Sequence, residues 1–149
     1  MGLFDTVVEF FQTDEWHFNR LGEQTVLAMS FAGETGTWNC YAEVREEQQA
    51  LIFFSVCPVK VPEHKRMDLA EFLTRANYGL IVGNFEMDFR DGEIRYKTSV
   101  RTGEETLPLT LIRNLVYGNV AMMDRYLPGI MTVMYGGASP AQVIAEIEG

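Results

Sequence analysis

The stretch NYGLIVGNFEMDFRDGEIRYKTS, Asn77 to Ser99, leaves a chain of this kind few folds to choose from. Asp91-Gly92 is a two-residue turn signal, because both central positions of such a hairpin take positive φ. Counting outward from it, Arg90 faces Glu93, Asp88 faces Arg95 and Glu86 faces Lys97 on one side of the ribbon. On the other side Phe89 faces Ile94, Met87 faces Tyr96 and Phe85 faces Thr98. A slip by one residue would exchange the two faces and lose the match. Each cross-strand pair contributes only about 0.2–1 kcal/mol, so the pairs select the register more than they stabilise it. The charged side reads either as a solvated face or as a docking surface. The apolar side requires a cover, and that implies an antiparallel sheet packed by helices.

The remaining segments supply both parts. Leu3, Phe4, Val7, Val8 and Phe11 recur at helical spacing, which predicts a first helix from Leu3 to Gln12. Thr25 to Phe31 and Trp38 to Arg45 alternate apolar and polar residues around the turn Gly33-Glu34-Thr35-Gly36. Leu51 to Val56 is apolar except at Ser55, as expected of a central strand covered on both sides. Pro58 and Pro62 end that pairing, since proline has no backbone donor. Leu69, Phe72, Leu73 and Ala76 mark a second helix. Ile112, Leu115, Val116, Asn119, Met123, Tyr126 and Leu127 lie on one face of a third, with a kink or break expected at Pro128. Ser139-Pro140-x-Gln142 is a capping box that opens a short terminal helix. The order is α-βββ-α-ββ-α-α. This predicts one α+β domain over residues 1–149, with an antiparallel sheet of about five strands.

At 149 residues the chain can bury roughly 68–70% of its unfolded surface, so it folds without a disulfide or metal. Its net charge of −9 disfavours nucleic acid and anionic lipid as partners. No apolar run approaches the ~20 residues of a membrane helix, and the expected location is the cytoplasm. Cys40 and Cys57 form no CxxC and have no histidine at metal spacing, so they read as buried hydrophobes. Asp14, Glu15 and His17 form a polar group beside Trp16 that could hold a cation, but plain surface is the simpler account.

No GxSxG, Walker A, GxGxxG or HExxH motif is present. His17 and His64 are far apart in sequence. The sequence therefore predicts neither an enzyme nor a cofactor or metal site. The third helix is rich in methionine: Met122, Met123, Met131 and Met134, accompanied by Tyr126 and Tyr135. Methionine fills irregular core gaps and also suits promiscuous contact surfaces. This set is either core packing against the sheet or a surface for a protein partner or a second copy.

The runs FLTRANYGLIVGNFEMDFRDGEIRYKTS and NVAMMDRYLPGI, with GTWNCYAEVREEQQALIFFSVCPVKVPEHKR before them, resemble the YbjN domain family, in particular its cyanobacterial-type members. The resemblance spans roughly Thr25 to Glu148. It implies a fold similar to type III secretion chaperones, small α+β proteins that commonly dimerise and hold extended partner segments. It also implies a role in sensory-transduction regulation with no established activity and no catalytic residues to carry over. Two functions follow as expectations. The first is a non-enzymatic chaperone-like or adaptor homodimer; the second is a regulator that binds a small ligand between helix and sheet.

Overall fold

The computed structural model describes residues 2–149. Its elements are α1 (Leu3–Thr13), β1 (Phe18–Arg20), β2 (Val26–Ala32), β3 (Thr37–Arg45), β4 (Ala50–Val56), α2 (Arg66–Asn77), β5 (Asn84–Asp88), β6 (Glu93–Arg101), α3 (Leu109–Tyr135) and α4 (Pro140–Glu148). The strands form one antiparallel sheet in the order β1-β2-β3-β4-β6-β5. Helices cover one face. There Leu27, Trp38, Cys40, Leu51, Phe53, Ile94 and Tyr96 are buried with Phe10 and Phe11 of α1, Phe72 of α2 and Ile112, Val116 and Met123 of α3. Burying such side chains contributes ~1.5–3 kcal/mol each, so this seam holds the layers together. Asn119 crosses it. Its amide nitrogen donates to the Phe53 carbonyl at 2.9 Å, the Tyr96 carbonyl at 3.1 Å and Thr98 Oγ1 at 3.2 Å, joining α3 to β4 and β6.

The sheet, expected to have about five strands, has six, because Phe18–Arg20 adds a short edge too brief to show an alternating pattern. Three other expectations need correction. The β5–β6 hairpin keeps its predicted faces but shifts by two residues. Asp88 pairs with Glu93, Met87 with Ile94, Glu86 with Arg95, Phe85 with Tyr96 and Asn84 with Lys97. The loop is therefore Phe89 to Gly92. The physical reason is tertiary. Val61 donates to the Gly92 carbonyl at 2.9 Å, and the Gly92 amide closes on the Asp88 carbonyl at 2.7 Å. The Asp88 carboxylate also takes the Arg90 amide at 2.8 Å. Phe89 consequently turns outward, about half exposed.

The outer side of β4 has no helix over it. Ile52 and Val56 are half-buried there, and Phe54 is buried with the Arg95 guanidinium 4.2 Å from its ring centroid. Finally, α3 runs without a break through Pro128. A proline deprives the carbonyl four residues back, here Asp124, of its helical donor. The Thr35 hydroxyl lies 2.8 Å from that carbonyl and 2.6 Å from Asp124 Oδ1, and its single proton is shared between them. The Asp124 carboxylate also receives the Glu34 amide at 2.9 Å and the Thr35 amide at 2.8 Å, clamping the β2–β3 turn to α3.

Candidate protein-binding surface

An antiparallel sheet has two edges, and their unpaired backbone groups can accept another strand. In this chain the two edges differ. At β5, Phe85 points its N–H and C=O away from β6. The Asn77 side chain meets both, its Oδ1 accepting the amide at 2.7 Å and its Nδ2 donating to the carbonyl at 3.0 Å. Asn84 Nδ2 donates to the same carbonyl at 3.1 Å. Farther along, Arg66 Nη1 donates to the Phe89 carbonyl at 3.0 Å. The last residue of α2 thus occupies the outward groups of Phe85, whereas those of Met87, two residues on, have no hydrogen-bond partner among the described residues.

β1 has no such guard. Leu21 donates to the Val26 carbonyl, so alternation turns Asn19 toward β2 and points the N–H and C=O of Phe18 and Arg20 away from it. Among the described residues these four groups have no hydrogen-bond partner. The Arg20 side chain is drawn back to the Gln24 and Glu23 carbonyls at 2.8 and 2.9 Å, with its guanidinium 4.7 Å from the Phe4 ring centroid. It therefore leaves the edge clear. Beside the edge, on the open face of the sheet, His17, Phe18, Asn19, Ala28, Met29, Ser30, Asn39 and Tyr41 line a shallow concavity of about 530 Å³. Backbone groups and side-chain pockets side by side are what strand addition requires.

The corner that positions β1 is held by several hydrogen bonds and ring contacts. Asp14, just after α1, accepts from Trp16 Nε1 at 2.9 Å, Arg113 Nη2 at 2.8 Å and the Tyr117 hydroxyl at 2.5 Å. Burial alone would raise its carboxyl, but the Tyr117 and Trp16 hydrogen bonds and the Arg113 charge outweigh it and hold the group below its ordinary value. Trp16 also stacks on Phe31 at 5.7 Å and meets Phe11 edge-on at 5.5 Å. The polar group around Asp14 is therefore a joint between α1 and α3. Among the described residues no cluster of His, Cys, Asp or Glu is arranged for a metal ion.

On the charged ribbon face Glu86 holds Arg95 and, at 3.1 Å, Lys97. Burial pushes its carboxyl up, and the two cations more than reverse that. Asp88 lies lower still, at about 2, because of its bonds to the Arg90 side chain and amide. The methionine-rich face divides. Met123, Tyr126 and Met134 are buried in the core, because their side of α3 lies on the sheet and on α4. Met122 and Met131 are half-buried, and Tyr135 is exposed. Cys40 and Cys57 are free and buried, and burial pushes the Cys40 thiol up to about 11. His17 lines the concavity beside β1, whereas His64 lies in a 3-10 turn ahead of α2.

A sequence profile described as "YbjN: Putative bacterial sensory transduction regulator" matches residues 4–132. The chain belongs to the YbjN family. Its fold is similar to the crystal structure of YbjN from E. coli, "a putative transcription regulator", with a TM-score of 0.66 at 10% identity over 83% of this chain and 87% of that one. It is also similar to a protein of the HopA1-SchA chaperone-effector complex, with a TM-score of 0.56 at 12% identity over 85% and 94% of the two chains. A third likeness is to a protein of the ExsC-ExsE complex, with a TM-score of 0.57 at 12% identity over 86% and 96%. No curated protein matches the chain by sequence. The fold is thus α+β of the type III secretion chaperone kind. Among the described residues no helix is long and apolar enough to cross a membrane.

The sequence placed Asn119 on one face of the third helix with Ile112, Val116 and Met123, without marking its role or indicating what it bonds. Asn77 carried no comparable signal, because its role depends on where the end of α2 meets β5.

Proposed function

We propose that this chain is a non-enzymatic protein-binding module of chaperone or adaptor type, acting in the cytoplasm, and that it takes an extended partner segment along β1. One observation carries the proposal: Asn77 caps the β5 edge at Phe85, while the β1 edge leaves both of its outward residues, Phe18 and Arg20, unpaired beside a concavity. Native sheets protect edges that are not meant to pair. The chaperone-effector complex among the similar folds supports the same reading. The net charge of −9 favours a neutral or basic segment and disfavours nucleic acid. Ligand sensing between helix and sheet has less support, because Asn119, Thr98 and Ser55 fill that seam.

Arg20→Pro tests the reading. It removes an outward N–H that has no partner within the chain, so the fold should persist. A partner captured from cell extract by the wild type should be lost by the variant, and equal capture by both would refute strand addition at β1. Association of two copies belongs to the same proposal. It would draw on Tyr78 and Ile81, 96% and 97% exposed, or on the exposed Tyr135 with the half-buried Met122 and Met131. Light scattering that finds a single-chain mass at every concentration would refute it.

A further inference from the structure

Helix α4 lies beyond the residues that the family profile matches, which end at 132. It packs against α2 and α3. Its anchors are Pro140, Val143 and Ile147, spaced i, i+3, i+7, with Glu148 following. The floor beneath them is built to receive a helix. A side chain at Gly129 would place a Cβ 2.5 Å from Ile147 and 2.8 Å from Phe72, so the glycine is what allows the close approach. The Tyr126 hydroxyl donates to Glu148 Oε2 at 2.7 Å. Only Pro140 and Val143 of the nine residues of α4 are fully buried, with Ile144 and Ile147 partly buried against the core. It is joined to α3 through Gly136, Gly137 and Ala138, with φ at Gly137 of 71°. Its N-terminus is capped internally, Ser139 Oγ accepting the Gln142 amide at 3.2 Å, so it carries its own start signal wherever it docks.

We propose that the groove between α2 and α3 is a helix-binding site which α4 occupies in cis, and that an amphipathic helix of a partner, with apolar anchors at i, i+3 and i+7 and a carboxylate at i+8, competes for it. Recognition of a helix in a groove by such anchors is a common mode of protein recognition. The seated α4 defines the chemistry: an apolar ridge narrow enough to pass over Gly129 and an acidic residue to meet the Tyr126 hydroxyl. A short helix with few buried residues opens more readily than the core beneath it. The site is separate from the β1 edge, and neither reading depends on the other.

The test uses the full chain and a labelled peptide of residues 138–149. Val143→Asp undocks α4 and should raise peptide affinity at least tenfold over the wild type, as read by anisotropy. The same peptide carrying Ile147→Asp should not bind. Failure of the unaltered peptide to bind the folded variant, or equal binding by both peptides, would overturn the proposal. Hydrogen exchange on the unaltered protein provides an arm that does not depend on the variant folding. The α4 amides should exchange at least a hundredfold faster than those at the centre of α3, and exchange in step with α3 would overturn the proposal. A doubled mass that Ile147→Asp abolishes would show exchange of α4 between two copies and would also overturn the partner reading.

Discussion

Asn77→Ala should open the guarded edge, and its cost can be worked from the contacts. The wild-type side chain makes two hydrogen bonds to Phe85, one to the amide and one to the carbonyl. The carbonyl keeps a second donor in Asn84, so its loss is small. The amide keeps none, and the Phe85 side of the strand is buried, so water reaches it poorly. An orphaned donor of this kind costs about 1–3 kcal/mol. Alanine returns roughly 0.5 kcal/mol through its better helix propensity at the end of α2. The net expectation is a loss of about 0.5–2.5 kcal/mol. With a urea m-value of about 2 kcal/mol/M, the midpoint should fall by about 0.3–1.2 M while m stays constant. The freed edge should also add concentration-dependent association, visible by light scattering. Asn77→Asp is the control, since it keeps the acceptor for the Phe85 amide and loses only the donor. An Asn77→Ala variant with an unchanged urea midpoint and no new association would refute the account of β5 as a plugged edge.

Asp124 should make stability fall in acid. Burial raises its carboxyl, but the Thr35 hydroxyl and the Glu34 and Thr35 amides more than reverse this, so the folded value lies below the ordinary one. The folded state then binds that proton less tightly than the unfolded state. Its contribution is complete above the unfolded value of about 4 and is lost as pH falls through the folded value. Asp124→Asn should cost about 1–2 kcal/mol at pH 7. In urea titrations the gap to wild type should shrink toward pH 3, and a gap independent of pH would contradict the clamp. Gly92→Ala should destabilise by at least about 2–3 kcal/mol, because φ there is 81° and a Cβ would lie 2.1 Å from the Val61 carbonyl oxygen. Thermal melting checks it, and a Tm within 2 °C of wild type, against a shift of roughly 4 °C or more expected for such a loss, would count against the loop geometry.

The features carried by local patterns were legible in the sequence. Alternation gave β2 and β3, apolar runs gave β4, helical spacing gave all four helices, and Ser139-Pro140-x-Gln142 marked the start of α4. The faces of the β5–β6 ribbon were legible for the same reason, since side-chain alternation has period two and survives a two-residue shift. The exact register was not, because the turn is decided by Val61, thirty-one residues before Gly92, rather than by Asp91-Gly92 alone. Continuity through Pro128 was hidden in the same way: the donor that completes the helix comes from Thr35. The candidate site lies at the far end of this scale. Neither the three-residue β1 nor the Asn77 plug has a periodic signature, and both take their meaning from which strand ends up at which edge.

The most direct measurement is residue-resolved hydrogen exchange on the protein with and without a captured partner segment. The Phe18 and Arg20 amides should exchange freely in the isolated chain and become protected in the complex, while the Phe85 amide, already bonded to Asn77, stays as it was. Protection appearing at β5 with none at β1, or Phe18 and Arg20 already protected in the isolated chain, would contradict the account.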